Sequence, residues 1–274
     1  MLQLGGIQLL VVSILEQREP EEVRMKRLCV LLVLTVSSFC LAQTDTSATK
    51  KDDNKPKNDA KYSMDQTAGK TAERAQNAAT VLQEIFAAPD KGVPEDLLAS
   101  AKCTVVIPGM KKAGLVFGGR YGRGFATCRT ANGWSAPAPV FLGGGSWGAQ
   151  IGGEAIDVVM LVMNDKGVQQ LLSSKFKVGV DASAAAGPVG RSASADTNWK
   201  LESELLTYSR AKGLFAGLEL NGASVKQDED TTKELYGKDV PFNTILSGKV
   251  PTPAVTRPFI AEIQKNFREA RASK

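Results

Sequence analysis

Four cations crowd one stretch of the 274-residue chain: Lys111, Lys112, Arg120 and Arg123, inside CTVVIPGMKKAGLVFGGRYGRGFATCR from Cys103 to Arg129. Ammonium and guanidinium groups held close together on a stiff backbone bind phosphate oxygens, so the chemistry on offer is recognition of anions. Each cation near an anionic membrane contributes about 1 kcal/mol; solvated turn charges are the plainer alternative. Bond-making chemistry has less to work with. The chain has no histidine, which removes Ser-His-Asp and Cys-His nucleophiles and every His-ligated metal site. Glu154, Asp157, Glu202 and Glu204 are candidate paired carboxylates of the glycosidase type, but nothing in the sequence fixes their separation, and salt bridges account for them as simply. Asp228, Glu229 and Asp230 lack the ligand pattern of a calcium loop. GGRYGRG precedes no helical pattern and no acidic partner follows it, so it does not read as a nucleotide cradle. The reading is a binding protein with no catalytic residues, metal or cofactor.

The elements that hold the cations come next. Cys103 to Ile107 is a β-branched apolar run, which Pro108-Gly109 is expected to stop. Lys111-Lys112 follows, then the apolar run Ala113 to Phe117, a glycine-rich corner holding Arg120, Tyr121 and Arg123, and a third run from Phe125 to Cys128. The pattern predicts strand, basic turn, strand, basic turn, strand. Turns on the same side of this meander form one compact positive patch, which Arg129, Arg191, Lys200 and Arg210 extend. Cys103 and Cys128 lie on its first and third strands. In an exported protein an even pair reads as a disulfide; the other reading is two buried thiols.

Upstream, residues 1–24 read as an extension before a better start at Met25. Lys26-Arg27 and the apolar run Leu28 to Leu41 predict a signal peptide over residues 25–42, cleaved before Gln43. That run is short of the roughly 20 residues of a membrane span. Cys40 permits a lipid-anchored alternative, against which Phe39 stands where a small residue belongs. Residues 43–69 are polar and mixed in charge, the composition of a disordered tether. From residue 70 to 88 a helical period returns, with Ala75, Ala78, Leu82, Ile85 and Phe86 on one face. This helix either docks on the sheet or enters a bilayer interface through Leu82 and Phe86.

Downstream, Asn132-Gly133 marks a tight turn. Pro137 and Pro139 demote the segment Trp134 to Leu142 to an edge strand or irregular structure. Gly143-Gly144-Gly145 reads as a bend. Ile156 to Met163 is apolar enough for a central strand. Asp165 caps a short helix, Leu205 to Arg210 and Leu214 to Leu220 form a hairpin, and Pro258 opens a last helix with Phe259, Ile260, Ile263 and Phe267 inward. Trp134, Trp147 and Trp199 fit either a membrane interface or ordinary packing. The chain is 43% hydrophobic, which supplies a core, and only 6% aromatic with 26 glycines. That balance favours an α+β fold: a strongly bent antiparallel sheet, sandwich or partial barrel, with helices at its N- and C-terminal ends. A net charge of +5 suits anionic surfaces and is too small to imply nucleic acid.

Four blocks in order carry a resemblance: AKCTVVIPGMKKAGLVFGGRYGRG, GGGSWGAQIGGEAIDVVMLVMND, FKVGVDASAAAGPVGR and LLTYSRAKGLFAGLELNGASV. Over residues 70–272 the chain resembles the SYLF family, lipid-binding domains of eukaryotic endocytic and actin-associated proteins and of many bacterial secreted proteins. The resemblance implies no enzymatic activity. It implies binding of anionic phospholipid, phosphoinositides in eukaryotic members, and actin in some. The signal peptide and the missing SH3 or FYVE domain depart from the eukaryotic pattern. They leave a generic anionic lipid, such as phosphatidylglycerol or cardiolipin, as the expected ligand. Actin is not expected as a partner of a periplasmic or extracellular protein. The competing reading is an envelope protein-interaction module that binds no lipid.

Overall fold

One long hairpin stands at the centre of the molecule. In the computed structural model, which describes residues 57–86, 92–114, 117–147, 154–189, 203–211 and 214–272, strands β1 (Cys103–Gly114) and β2 (Phe117–Thr130) pair antiparallel from Cys103 opposite Cys128 to Gly114 opposite Gly118. The expected three-strand meander is therefore two strands. Pro108-Gly109 does not stop the first; the register slips there instead, between Val106 and Lys111 against β2. A bulge tolerates a proline that cannot donate to the ladder. Gly109 takes a positive φ of 59°, and its N–H donates to the Asp157 carboxylate at 2.8 Å, so the group released from the ladder is satisfied. The glycine-rich segment of β2 is likewise strand, not corner. At Gly124 a Cβ would lie 1.9 Å from the Val106 carbonyl oxygen. Only glycine lets β2 pass that close to the bulged strand.

Strands β3 (Gly133–Trp134), β4 (Ala138–Trp147) and β5 (Glu154–Val162) follow. Then come helix α3 (Asp165–Leu172, after α1 and α2 below), β6 (Lys175–Lys177), β7 (Ala184–Ala186), β8 (Leu205–Ala211), β9 (Leu214–Gly217) and β10 (Ser224–Gln227). The sheet runs β6-β10-β4-β2-β1-β5-β8-β7, with β3 paired to β2 and β9 to β8. Its two outermost strands, β6 and β7, are consecutive in the chain, and an isolated bridge joins Val178 to Ala182 between them. The sheet thus curls into a half-barrel. β4 is interior, contrary to the expectation from its prolines. Its ladder to β10 begins at Val140, one residue beyond Pro139, so the missing N–H is not needed there. Gly143-Gly144-Gly145 continues this strand rather than bending it.

Alternation divides the strands between two apolar clusters. Inside the curl lie Val105, Ile107, Met110, Leu142, Val158 and Phe176, with Leu171 of α3 and Phe242 of α5 (Phe242–Leu246). On the outer face Val106, Phe125, Val159, Leu206 and Tyr208 meet three helices: α1 (Lys57–Phe86), α2 (Glu95–Ser100) and α6 (Arg257–Ala272). α1 begins at Lys57, so it takes in the end of the stretch expected to be a tether. α4 (Glu229–Tyr236) starts at Asp228, whose side chain caps the Thr231 N–H. For α3 the cap is Asn164, one residue before the expected Asp165. The α+β class, the bent sheet and the terminal helices are as the sequence predicts; the sheet is antiparallel except at its edge, where β7 pairs parallel with β8. Residues 1–56, with the expected signal peptide, lie outside the described residues, as do Arg191, Trp199, Lys200 and Glu202.

Candidate functional site at the free end of the hairpin

The four cations sit on strands, not at turns, and neighbours along a strand point to opposite faces. Lys111 lies opposite Tyr121, and Lys112 opposite Arg120. Lys111, Tyr121 and Arg123 share the outer face; Lys112 and Arg120 share the inner one. The single flat patch does not form. Three of the four nevertheless gather near one end, within a few residues of the hairpin tip. There Lys111 is exposed and Lys112 and Arg120 are half-exposed. Tyr121 beside them is 50% exposed, the largest side chain among the exposed apolar residues described. Among the described residues none of these three cations has a carboxylate partner.

Arg120 is held by backbone instead. Its guanidinium donates to the carbonyls of Glu219 at 3.3 Å and of Gly145 and Asn221 at 3.4 Å, while its buried Nε has no acceptor among the described residues. Burial lowers its pKa from the usual arginine value. A guanidinium fixed by long hydrogen bonds and lacking a counter-ion keeps its attraction for an incoming phosphate.

Other cations are already engaged. Arg123 pairs with the buried Asp228 at 3.2 Å. Arg210 pairs with Asp157 at 2.6 Å and with Glu84 of α1. Arg129 lies over the Trp134 ring at 4.7 Å and the Phe267 ring at 5.6 Å, and donates to Ala101 and Ala99 carbonyls. Burial, with Arg271 nearby, pulls its pKa down to about 10. Of the carboxylates considered for catalysis, Asp157 serves Gly109 and Arg210, and burial raises its pKa. Glu204 pairs with Lys166 at 2.7 Å and accepts from the Ser183 N–H. Both are consumed by structure, and the side chains of Glu154 and Trp147 lie outside those described. Among the described residues no acidic or cysteine cluster is placed to hold a metal, and no helix is long and apolar enough to cross a membrane.

Leu82 is 1% exposed, packed in the outer cluster between α1 and the sheet. In this arrangement it is not presented to solvent, and the side chain of Phe86 is not among those described. Cys103 and Cys128 form a disulfide, S–S 2.03 Å, at the end of the hairpin opposite the cations. They meet because the meander is one hairpin and they are register partners. Missed from sequence were the exposure of Tyr121 and a cleft of about 430 Å³ lined by Arg123, Phe141, Lys175, Lys226 and the start of α4. In it Lys226 lies 5.2 Å from the Phe141 ring.

This class of protein is a half-barrel backed by three helices, with an exposed cationic hairpin end and with both described candidate carboxylates, Asp157 and Glu204, held in ion pairs. Comparison gives the class a name. The family model Ysc84, described as Las17-binding protein actin regulator, matches residues 143–266. An SH3 domain-containing protein of Schizosaccharomyces pombe is 37% identical over 61% of this chain and 39% of its own length. SH3 domain-containing YSC84-like protein 1 of Rattus norvegicus is 31% identical over 71% and 59%, respectively. Protein YSC84 of Saccharomyces cerevisiae is 32% identical over 65% and 38%. The chain belongs to this SYLF, or Ysc84, domain family. It spans between 38% and 59% of the length of these relatives. Family and relatives bear the names of binding proteins rather than enzymes.

Proposed function

We propose that this domain binds anionic phospholipid surfaces through the free end of the β1–β2 hairpin. The observation that carries the reading is the grouping of Lys111, Lys112 and Arg120 there, with no carboxylate partner among the described residues, beside exposed Tyr121. A hairpin entering the headgroup layer end-on brings cations of both its faces against phosphates, so the split between faces does not matter to it. Tyr121 suits the interfacial position that amphipathic rings favour. In this reading the ligand is a generic anionic lipid such as phosphatidylglycerol. The chain is exported by residues 25–42 to the periplasm or beyond; N-terminal sequencing of the mature protein starting at Gln43 would support that export.

Co-sedimentation with vesicles tests the lipid contact. Binding to phosphatidylglycerol vesicles but not to phosphatidylcholine, weakened by salt, is expected. Lys111→Glu/Lys112→Glu should lower affinity at least tenfold, on the basis of about 1 kcal/mol per cation. Equal binding to both vesicle types, or no effect of the reversals, would sink the assignment. A second reading is a protein-interaction module, favoured by the description of the family as Las17-binding protein actin regulator. It predicts a protein complex that survives these reversals and no preference among lipids.

A further inference from the structure

The last helix carries a second cationic surface. On α6 the residues Arg257, Lys265, Arg268 and Arg271 are all exposed, and at 3.6 residues per turn they fall within a sector of about 120°. The row is about 21 Å long. The opposite side of the helix is core: Phe259, Ile260, Ile263 and Phe267 are buried. Glu262, the acid closest to the buried side, is itself buried and accepts from Gln83 and Asn266. Exposed Glu269 lies at the margin of the row. None of the four cations has a carboxylate partner among the described residues.

This row and the hairpin tip occupy different ends and directions of the domain. The C-terminal half of α6 sits at the disulfide end: Phe267 lies edge-on to Trp134 with centroids 4.8 Å apart, and Arg271 is close enough to Arg129 to lower its pKa. From Arg129 to Arg120 along β2 is about 30 Å at the usual rise per residue. The tip points along the strands; the exposed side of α6 points away from the sheet.

We infer that α6 is a second docking surface for an anionic phospholipid bilayer, so that one domain bridges two membranes. This rests on the lipid reading of the hairpin end. The charge of the row fits an anionic plane, which can meet all four cations at once. A protein partner would want a desolvated aromatic or aliphatic anchor at its centre, and the exposed side of α6 carries no large apolar side chain.

The test uses the purified full chain with vesicles of phosphatidylglycerol and phosphatidylcholine in equal parts, reading bound protein by sedimentation and vesicle clustering by dynamic light scattering. Wild type should bind and cluster. Arg268→Glu/Arg271→Glu should still bind through the hairpin, yet cluster at least about tenfold less at matched bound protein. Lys111→Glu/Lys112→Glu should bind more weakly, through α6 alone, and at matched bound protein should likewise cluster less. These side chains are exposed, and circular dichroism melting checks that the variants fold. Wild type that fails to bind ends the lipid reading and the bridging with it. Wild type that binds but leaves vesicles dispersed overturns bridging alone. Clustering unchanged by Arg268→Glu/Arg271→Glu also overturns it, because the second contact is then elsewhere, in a partner copy or another surface.

Discussion

The two ends of the central hairpin are built from the same two strands and treat cations in opposite ways. At the Cys103–Cys128 end, Arg129 is enclosed by Trp134 and Phe267 and donates to the Ala99 and Ala101 carbonyls at the C-terminal end of α2. At the tip, Lys111, Lys112 and Arg120 face solvent or backbone carbonyls and meet no carboxylate among the described residues. What differs is cover. α2, α6 and β3 close over one end, whereas near the tip Lys111 and Tyr121 stay exposed. An arginine under helices becomes part of the core packing, and the same residue type beyond them stays available to a ligand.

Four experiments would break or sharpen that contrast. The largest loss should come from under the helices. Leu82→Ala should cost about 3 kcal/mol in urea unfolding and leave vesicle affinity unchanged. Intact stability with lost affinity would instead make α1 the membrane element. Next, Cys103→Ala/Cys128→Ala removes a link across a sequence separation of 25, worth about 3 kcal/mol in the chain-entropy model. Denaturant midpoints that coincide with wild type would show that this end is held by packing alone.

Two buried phenols give a finer comparison. Tyr236 donates to the Pro137 carbonyl at 2.7 Å, and among the described residues Tyr208 has no partner for its hydroxyl. Tyr236→Phe should therefore cost about 1 kcal/mol, and Tyr208→Phe should be neutral or stabilising by about 1 kcal/mol. Burial raises both phenol pKa values above the ordinary value of 10. The unfolded chain then loses these protons first, so the folded state holds more of them and stability falls as pH rises above about 10. Either substitution should flatten that slope in alkaline melting curves; unchanged slopes would mean that neither phenol is excluded from water. The smallest effect belongs to the tip. Lys111→Ala/Lys112→Ala should move stability by less than about 0.5 kcal/mol, and a larger destabilisation would give these lysines a structural task.

Much of this architecture was legible in the residue pattern. The apolar run Ile156 to Met163, the inward face of the last helix and the hairpin after Leu205 all follow from periodicity, since alternation and the 3.6-residue period report burial directly. Pro108-Gly109 and the glycines of β2 misled for one reason. Local sequence records where a chain can turn, not whether it does. Here the Asp157 carboxylate, from a strand distant in sequence, accepts the freed Gly109 N–H and keeps the strand running. The cations were visible, but not their faces, because the bulge between Val106 and Lys111 resets the register.

By itself the amino-acid order determined the class of fold, the family and the stock of charged groups without histidine, because composition and short-range period depend on no partner. Tertiary structure alone decided which charges remain free. Arg123, Arg129 and Arg210 acquire carboxylate or aromatic partners from elements remote in sequence; among the described residues Lys111, Lys112 and Arg120 acquire neither, and Arg120 meets only backbone carbonyls. Whether a cation meets a carboxylate or an aromatic ring depends on which surfaces the helices close, and that is a property of packing across the whole chain.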